Sequence, residues 1–192
     1  ALVTGERKYL DFMNEEFWAT TDFLYDTQEN LYYRDSRYFD KRERNNEKVF
    51  WGRGNGWVFA GLARIIDSLP DYFKDRQEYI DLYLEMAEKI ASLQQNDGLW
   101  RASLLDPDSF PNPETSSSGF FCYGLAWGIN RGYLKADEYL PVVKNAWAGL
   151  VKSVYPDGKL GWVQPIGADP RKVTRDMTEV YGVGAFLLAG TE

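Results

Sequence analysis

The most constraining feature of the chain is a spacing of 63 residues between glycines in three apolar segments. Gly56, Gly119 and Gly182 keep this spacing, and each lies in a stretch with little charge. The leucines that follow keep the same register: Leu62, Leu125 and Leu188. Glycine and alanine let buried helices approach one another closely. A repeat of this length indicates units that bury their apolar faces against their neighbours.

Three further stretches carry apolar residues at helical spacing on one face and charged residues on the other. They are Lys8 to Tyr25, Asp75 to Gln95 and Asp137 to Lys152. Each is followed by a turn and a short extended piece: Asp26 to Tyr33, Asp97 to Trp100 and Asp157 to Trp162. The predicted unit is therefore outer helix, turn, short strand, loop and inner helix. Residues 1–192 are predicted to form one all-α domain with three such repeats of about 63 residues.

Stacked helical hairpins form either an open solenoid or a closed toroid. The apolar inner helices favour the toroid, because a solenoid would leave them partly in contact with water. The long loops all precede inner helices, so they would gather on one face. That face is where we expect a functional site.

Composition excludes several functions. A net charge of −7 argues against nucleic acid as a partner, because phosphates would be repelled. The chain has no histidine, which excludes histidine-based metal sites and serine or cysteine nucleophiles activated by histidine. The single cysteine, Cys122, lies in an apolar run and is predicted to be a buried thiol rather than a nucleophile. We predict no metal and no cofactor.

The sequence shows neither a membrane span nor a secretion signal. No run of about 18 apolar residues indicates a membrane span, and no signal segment opens the chain, which favours a cytoplasmic location. Ala1 to Gly5 is typical of the last turn of a helix with a glycine cap. We therefore expect that residues upstream are missing.

The segment Trp51 to Trp57 has the richest local chemistry. Indole faces stack on sugar rings, Arg53 can pair with a carboxylate, and the Asn55 amide can bond to hydroxyls. The three intervening glycines let the backbone approach a ligand. The alternative is a glycine-rich helix entry whose tryptophans belong to the core. Trp51, Arg53, Asn55 and Trp57 are candidate substrate-binding residues.

Polar residues also open the second and third inner helices. Glu114, Ser116 and Ser118 would present polar groups that suit a hydroxyl-rich or anionic ligand, or they could simply cap the helix. Arg175 and Asp176 could line a pocket or form an exposed ion pair. Glycine-rich phosphate loops do not fit, because no apolar strand precedes Gly52 to Gly56.

Three motifs together resemble glycoside hydrolase family 105, the unsaturated rhamnogalacturonyl hydrolases. They are WGRGNGWVFAGL (Trp51 to Leu62), ETSSSGFFCYGLAWGINRG (Glu114 to Gly132) and DGKLGWVQPIGADP (Asp157 to Pro170). The resemblance implies an (α/α)6 barrel, about half of which is present in this chain. It also implies removal of a 4,5-unsaturated uronic acid from pectin (rhamnogalacturonan) fragments, by hydration of a vinyl ether rather than by displacement at the anomeric carbon.

Carried over by motif, Trp51, Arg53 and Trp57 match the family's substrate-binding pattern. Arg34 and Asp35 occupy a loop where many members place a substrate-contacting histidine, so that contact is altered here. The family's catalytic aspartate belongs to a segment that should precede this chain, and no catalytic residue is assigned within it.

Two functions are compatible with these sequence features. The first is the C-terminal half of a pectin-processing hydrolase with an oligosaccharide substrate. It is active only when the missing half, or another chain, supplies the catalytic aspartate. The second is a non-catalytic carbohydrate-binding or helical interaction module. No membrane or nucleic-acid partner is expected for either.

Overall fold

The computed structural model describes residue 1 and residues 3–192. Within that range the chain forms six α-helices and very little sheet. The helices are α1 (Lys8–Leu24), α2 (Gly52–Ser68), α3 (Arg76–Ser92), α4 (Thr115–Asn130), α5 (Ala136–Lys152) and α6 (Val180–Ala189). A two-stranded hairpin joins β1 (Tyr25–Asp26) to β2 (Leu31–Tyr32), and a short 3-10 turn spans Ser36–Tyr38. The predicted all-α class is confirmed.

The inner helices α2, α4 and α6 lie side by side, with α4 in the middle. Residues Thr115 to Gly128 of α4 are all buried, so its sequence has no polar face. The outer helices cover this row: α3 packs on α2, and α5 packs on α4. Helix α1 packs on α3, where Phe17 lies 4.7 Å from the ring of Tyr79. One face of each outer helix stays in water, which explains the amphipathic pattern.

Glycines set how closely the inner helices approach. A Cβ at Gly56 would lie 3.1 Å from Cβ of Phe120, and a Cβ at Gly119 would lie 2.9 Å from the carbonyl carbon of Ala185. The first glycine therefore admits α4 against α2, and the second admits α6 against α4. The contact at Gly119 is closer than a Cβ atom can approach, and the contact at Gly56 could hold a Cβ only if Phe120 moved slightly.

The extended pieces predicted after α3 and α5 do not form paired strands. Gly98 and Gly158 make the turns, with φ of +83° and +88°. The second turn is flanked by an isolated bridge between Val154 and Leu160, which is too short to count as a strand. One backbone carbonyl of each piece bonds to the start of α4 instead, while the amide of Trp162 donates to the carbonyl of Arg175 at 3.3 Å. The carbonyls of Trp100 and Trp162 accept the first amides of that helix, at 2.9 Å each.

Residues near the N-terminus form a closed turn. Gly5 has φ of +69°, and its amide donates to the carbonyl of Ala1 at 2.7 Å. This is the bond of a left-handed cap. Leu2, which belongs to the predicted helix end, lies outside the described residues.

Cys122 is buried between α4 and α5, and burial raises the pKa of its thiol to about 12. A thiol with that pKa is protonated at neutral pH and is a poor nucleophile. Among the described residues, no helix is both long and apolar enough to cross a membrane.

Replacing Gly119 by alanine should lower the free energy of unfolding by about 2 kcal/mol, because the new methyl group overpacks the contact between α4 and α6. Gly184→Ala is the matched control. A Cβ at Gly184 meets nothing within 4 Å, so this change should be neutral or gain up to about 1 kcal/mol of helix propensity. Urea unfolding of both variants measures the difference. Equal stabilities would contradict the close-approach argument.

Asp67 ties the C-terminal ends of α2 and α4 together. Arg131 donates to both of its oxygens, at 2.9 and 3.0 Å, and Trp127 donates at 3.1 Å. The bonds from Arg131 lower the pKa of Asp67, and the bond from Trp127 adds to this effect. A carboxyl whose folded-state pKa is depressed contributes stability above its unfolded-state pKa, and that stability is lost as the pH falls through the folded-state pKa.

Asp67→Asn should therefore cost about 1 kcal/mol at pH 7, a modest value because the pair is partly exposed. The difference from the unmodified protein should shrink as the pH falls below about 4, where the carboxylate protonates. Urea unfolding between pH 7 and pH 2.5 measures it, with the exposed Asp40→Asn as control. A difference that is constant over this range would rule out the ion pair as the cause.

Candidate sugar-binding mouth

Three long loops precede the inner helices: the first loop precedes α2, the second precedes α4 and the third precedes α6. Together they form one face, which we call the mouth. Backbone bonds join these loops to one another. The amide of Gly52 donates to the carbonyl of Ala102 at 2.8 Å, and the amide of Thr115 donates to that of Trp162 at 2.9 Å. The three helix entries are therefore held in one unit. Trp162 adopts a left-handed conformation with φ of +61°, which is strained for a tryptophan.

Arg53, at the start of α2, is 4% exposed and is enclosed by aromatic rings. Its guanidinium carbon lies 4.6 Å from the ring centre of Trp51 and 4.6 Å from that of Tyr181. Its Nη atoms donate to the carbonyl of Gln164, to the carbonyl of Pro165 at 3.0 Å, and to the hydroxyl of Tyr181 at 2.9 Å. The guanidinium thus binds the third loop to the first inner helix.

Gln164 is fully buried and joins the three loops. Its backbone amide donates to the Glu114 carboxylate at 3.0 Å, and its side-chain oxygen accepts from the indole of Trp51 at 3.2 Å. Its backbone carbonyl also accepts the hydroxyl of Tyr181 at 2.6 Å. Sequence reasoning did not select this residue. The available signal was a lone amide within the apolar run Leu160 to Pro165.

Glu114 and the serines after it form the N-terminal cap of α4. The buried Glu114 carboxylate accepts the backbone amides of Ser116 and Ser117 and the hydroxyl of Ser116. The hydroxyl of Ser118 donates to the Glu114 carbonyl and accepts the amide of Trp100. Thr115 donates to the carbonyl of Gly161 at 2.7 Å. All of these side chains are fully buried, with their polar atoms bonded to protein.

The Asn55 amide pairs with the backbone of β2. Its oxygen accepts the amide of Tyr32 at 2.8 Å, while its nitrogen donates to the carbonyls of Tyr32 and Trp51 at 3.1 Å each. Asn55 therefore connects the hairpin to the start of α2, and it is 1% exposed.

Trp51, Trp57 and Arg34 meet along one groove between α1 and α2, with a cavity volume of about 490 Å³. Trp57 is 54% exposed and packs against the ring of Phe120 at 4.3 Å. Deeper in the groove the walls are apolar, formed by Phe17, Val58 and Ile65 among others. We call this cavity the tryptophan groove. It combines an exposed indole face, a cation and an apolar floor.

Arg34 pairs with Asp35, which also accepts from Arg37 at 2.9 Å. The hydrogen bond from Arg37, together with that from Arg34, holds the pKa of Asp35 well below its usual range. Asp35 is therefore ionised at neutral pH, and it orients Arg34 at the rim of the groove.

The structure divides the predicted site residues into two groups. Trp51, Trp57 and Arg34 line the tryptophan groove, with Asp35 beside them. The others lie in the hydrogen-bonded interior beneath the loops: Arg53, Asn55, Glu114, Ser116 and Ser118. Direct contact of either group with a substrate stays a prediction.

The last two candidate residues do not pair with each other. Arg175 lies over the ring of Tyr155 at 4.7 Å, and Asp176 accepts the hydroxyl of Thr174 at 2.6 Å. Across residue 1 and residues 3–192, no cluster of three or more acidic or cysteine side chains could hold a metal ion.

The chain is similar to known glycoside hydrolases in both sequence and structure. The sequence profile described as Glycosyl Hydrolase Family 88 matches residues 1–192. A solved glycosyl hydrolase family 88 protein from Bacteroides vulgatus is 42% identical, with a TM-score of 0.93 over 97% of this chain and 56% of its own. A solved family 105 glycoside hydrolase from C. acetobutylicum is 26% identical, with a TM-score of 0.74 over 97% of this chain and 58% of its own.

The chain belongs to glycosyl hydrolase family 88, and its resemblance to family 105 is confirmed as well. Its six helices make up about half of an (α/α)6 barrel.

Two curated relatives have names that describe an activity. An unsaturated 3S-rhamnoglycuronyl hydrolase from Alteromonas sp. (strain LOR) is 47% identical over 99% of this chain and 46% of its own length. An unsaturated rhamnogalacturonyl hydrolase from Bacillus subtilis (strain 168) is 26% identical over 84% of this chain and 44% of its own length. The chain thus spans about half the length of the curated relatives it matches.

Arg53→Ala should lower the free energy of unfolding by about 2 to 4 kcal/mol, because it removes several buried hydrogen bonds and two cation–π contacts. It should also free the third loop, so that trypsin cleaves faster after Arg171 and Lys172. Limited proteolysis and urea unfolding measure both effects. Arg64→Ala, an exposed position on the same helix, is the control. Unchanged cleavage would show that Arg53 does not hold the loop.

Proposed function

We propose that the complete protein removes a 4,5-unsaturated uronic acid from rhamnose-containing oligosaccharides. The alignment with an unsaturated 3S-rhamnoglycuronyl hydrolase carries this proposal, since it is 47% identical and runs through all three mouth loops. The tryptophan groove supports it, because an exposed indole beside a cation suits an anionic sugar.

The reaction adds one water to the vinyl ether of the unsaturated sugar. A carboxylic acid gives a proton to C4, and the oxygen of a water molecule adds to C5 while a base takes its proton. The hemiketal formed at C5 then opens as its bond to the ring oxygen breaks, which leaves a ketone at C5 and a hemiacetal at C1. Collapse of this hemiacetal to an aldehyde breaks the bond to the rest of the oligosaccharide, which leaves as an alcohol. This route differs from displacement at the anomeric carbon by two carboxylates. We place the acid on an aspartate upstream of this chain.

The edges of the helical row support an upstream half. Large apolar side chains are exposed on both edges, including Phe12 (63%) on α1 and Leu187 (61%) on α6. Exposed apolar surface of this kind marks an interface. We propose that an upstream half of the same protein covers both edges and closes the barrel.

Within the mouth, we propose that Trp57 and Trp51 stack on the sugar and that Arg34 meets its polar groups. Arg53 is then a positioning residue, because its donors already hold the third loop. Glu114, Ser116, Ser118 and Asn55 support the same loops from beneath.

The identities favour one substrate class over another. The relative named for 3S-rhamnoglycuronyl substrates is 47% identical to this chain, whereas the relative named for rhamnogalacturonyl substrates is 26% identical. We therefore propose that unsaturated rhamnoglycuronyl oligosaccharides are preferred over the pectin fragments that the motifs alone suggested.

The full-length protein should consume an unsaturated 3S-rhamnoglycuronyl disaccharide with loss of the absorbance of the double bond, and it should act more slowly on unsaturated galacturonyl-rhamnose. Trp57→Ala should raise KM about tenfold, because a sugar ring that stacks on an indole gains on the order of 1 kcal/mol or more. The exposed Tyr72→Ala serves as a control. The 192-residue chain alone should show no turnover.

Each alternative gives a different result. Turnover by the 192-residue chain would contradict an upstream acid. Binding of the disaccharide by the full-length protein without any turnover would identify a carbohydrate-binding module instead. Faster turnover of the galacturonyl substrate would restore the pectin assignment.

A further inference from the structure

A second cavity opens among the mouth loops, with a volume of about 320 Å³. It is lined by Arg44 from the first loop, by residues 108–112 of the second, and by Arg171 and Lys172 of the third. Ala102 and Val173, which are both buried, form its floor. We call it the cationic pocket. It shares no lining residue with the tryptophan groove.

Hydrogen bonds between the loops hold this pocket in shape. The Asn112 side chain donates to the carbonyl of Val173 at 2.8 Å, which joins the second and third loops. The Asn45 side chain donates to the carbonyl of Leu105 at 2.8 Å, which joins the first and second. Residues beside the three cations are therefore fixed by contacts that do not involve the cations themselves.

The charges of the pocket are unbalanced. Three cations line it, and Asp108 is its one acidic lining residue. Arg171 is paired through Nε with Asp169 at 3.0 Å. Within residue 1 and residues 3–192, Arg44 and Lys172 have no carboxylate within salt-bridge distance. Unpaired like charges that line one cavity repel each other, and a bound anion would offset this electrostatic repulsion.

The surroundings make such a cluster unusual. The protein as a whole carries a charge of −7, so a general attraction to anions is absent and local cations must supply it. The pocket also has an apolar side, formed by Phe110 and Pro111. A binding site with cations on one side and an aromatic or proline face on the other suits an anionic sugar better than a small free ion.

We propose that the cationic pocket binds an anionic group, a carboxylate or a sulfate ester, on an oligosaccharide that lies across the mouth. This inference rests on the proposed function, because it takes an acidic oligosaccharide as the ligand. Arg44 and Lys172 supply the free charges, and Arg171 adds the Nη donors that Asp169 leaves unused. The pocket gives the protein a charge-dependent affinity for sugar units that the tryptophan groove does not contact.

The test uses the full-length protein and equilibrium binding measured by titration calorimetry. The ligands are saturated uronyl-rhamnose tetrasaccharides, which cannot be hydrated, in three forms: sulfated, desulfated, and desulfated with the carboxyls reduced to alcohols. Inorganic sulfate is titrated separately. The variant is Arg44→Gln with Lys172→Ala. Its matched control is Lys144→Ala with Lys152→Ala, which removes the same charge from exposed positions on α5.

The pocket variant should weaken binding of an anionic tetrasaccharide about tenfold, which is the effect of losing charge-assisted hydrogen bonds. The control variant should bind like the unmodified protein, and the neutral tetrasaccharide should bind both equally. A loss that disappears on desulfation identifies a sulfate ester as the bound group. A loss that persists on desulfation but is absent with the reduced sugar identifies a carboxylate.

Other results overturn the proposal. Equal binding of all three tetrasaccharides by the pocket variant and the unmodified protein would do so. Tight binding of inorganic sulfate without any effect on the tetrasaccharides would show that the pocket holds a free ion only. Turnover of unsaturated substrates is assayed separately. A protein that binds the tetrasaccharides but does not hydrolyse unsaturated substrates would refute the proposed reaction without contradicting the proposed anion binding in the pocket.

Discussion

A buried carboxylate at the start of α4 is the interaction on which the mouth depends. Glu114 is fully buried, and it accepts two amides from its own helix and one from Gln164. A buried charge without donors would be costly, and the positive end of α4 supplies them. Since Gln164 also accepts from Arg53 and Trp51, the same charge orders a path from α4 through the third loop to α2.

Much of the lining of the two cavities lies outside that path. The close contacts at Gly56 and Gly119 set the positions of the inner helices, and the loops are bonded to one another above them. The tryptophan groove and the cationic pocket then lie at the outer faces of these loops. Trp51 and Asn112 belong both to these cavities and to the bonds between the loops. Trp57, Arg44 and Lys172 line the cavities and can change without breaking those bonds.

Sequence patterns predicted the helices well, because burial imposes a period on each one. The stretch Asp75 to Gln95, for example, contains α3 (Arg76–Ser92) with little error at either end. Of the three predicted extended pieces, Asp26 to Tyr33 contains a paired strand, β2. The other two form no paired strand, and the carbonyls of Trp100 and Trp162 accept amides at the start of α4. The roles within the site were also hidden. A sequence shows that Arg53 is cationic, but not that carbonyls of a loop more than a hundred residues away accept its donors.

The cations of the mouth differ in whether an anion can reach them. Arg53 is enclosed by rings and bonded to neutral protein acceptors, so a ligand would have to displace the third loop to reach it. Arg44 and Lys172 line a cavity, and among the described residues they have no carboxylate at salt-bridge distance. Because displacing existing hydrogen bonds costs more than replacing water, affinity for an anionic sugar should depend on the exposed cations. Arg53, which lies in a motif, then contributes order, whereas Arg44 and Lys172, which lie outside the three motifs, are the cations we propose for the anionic group.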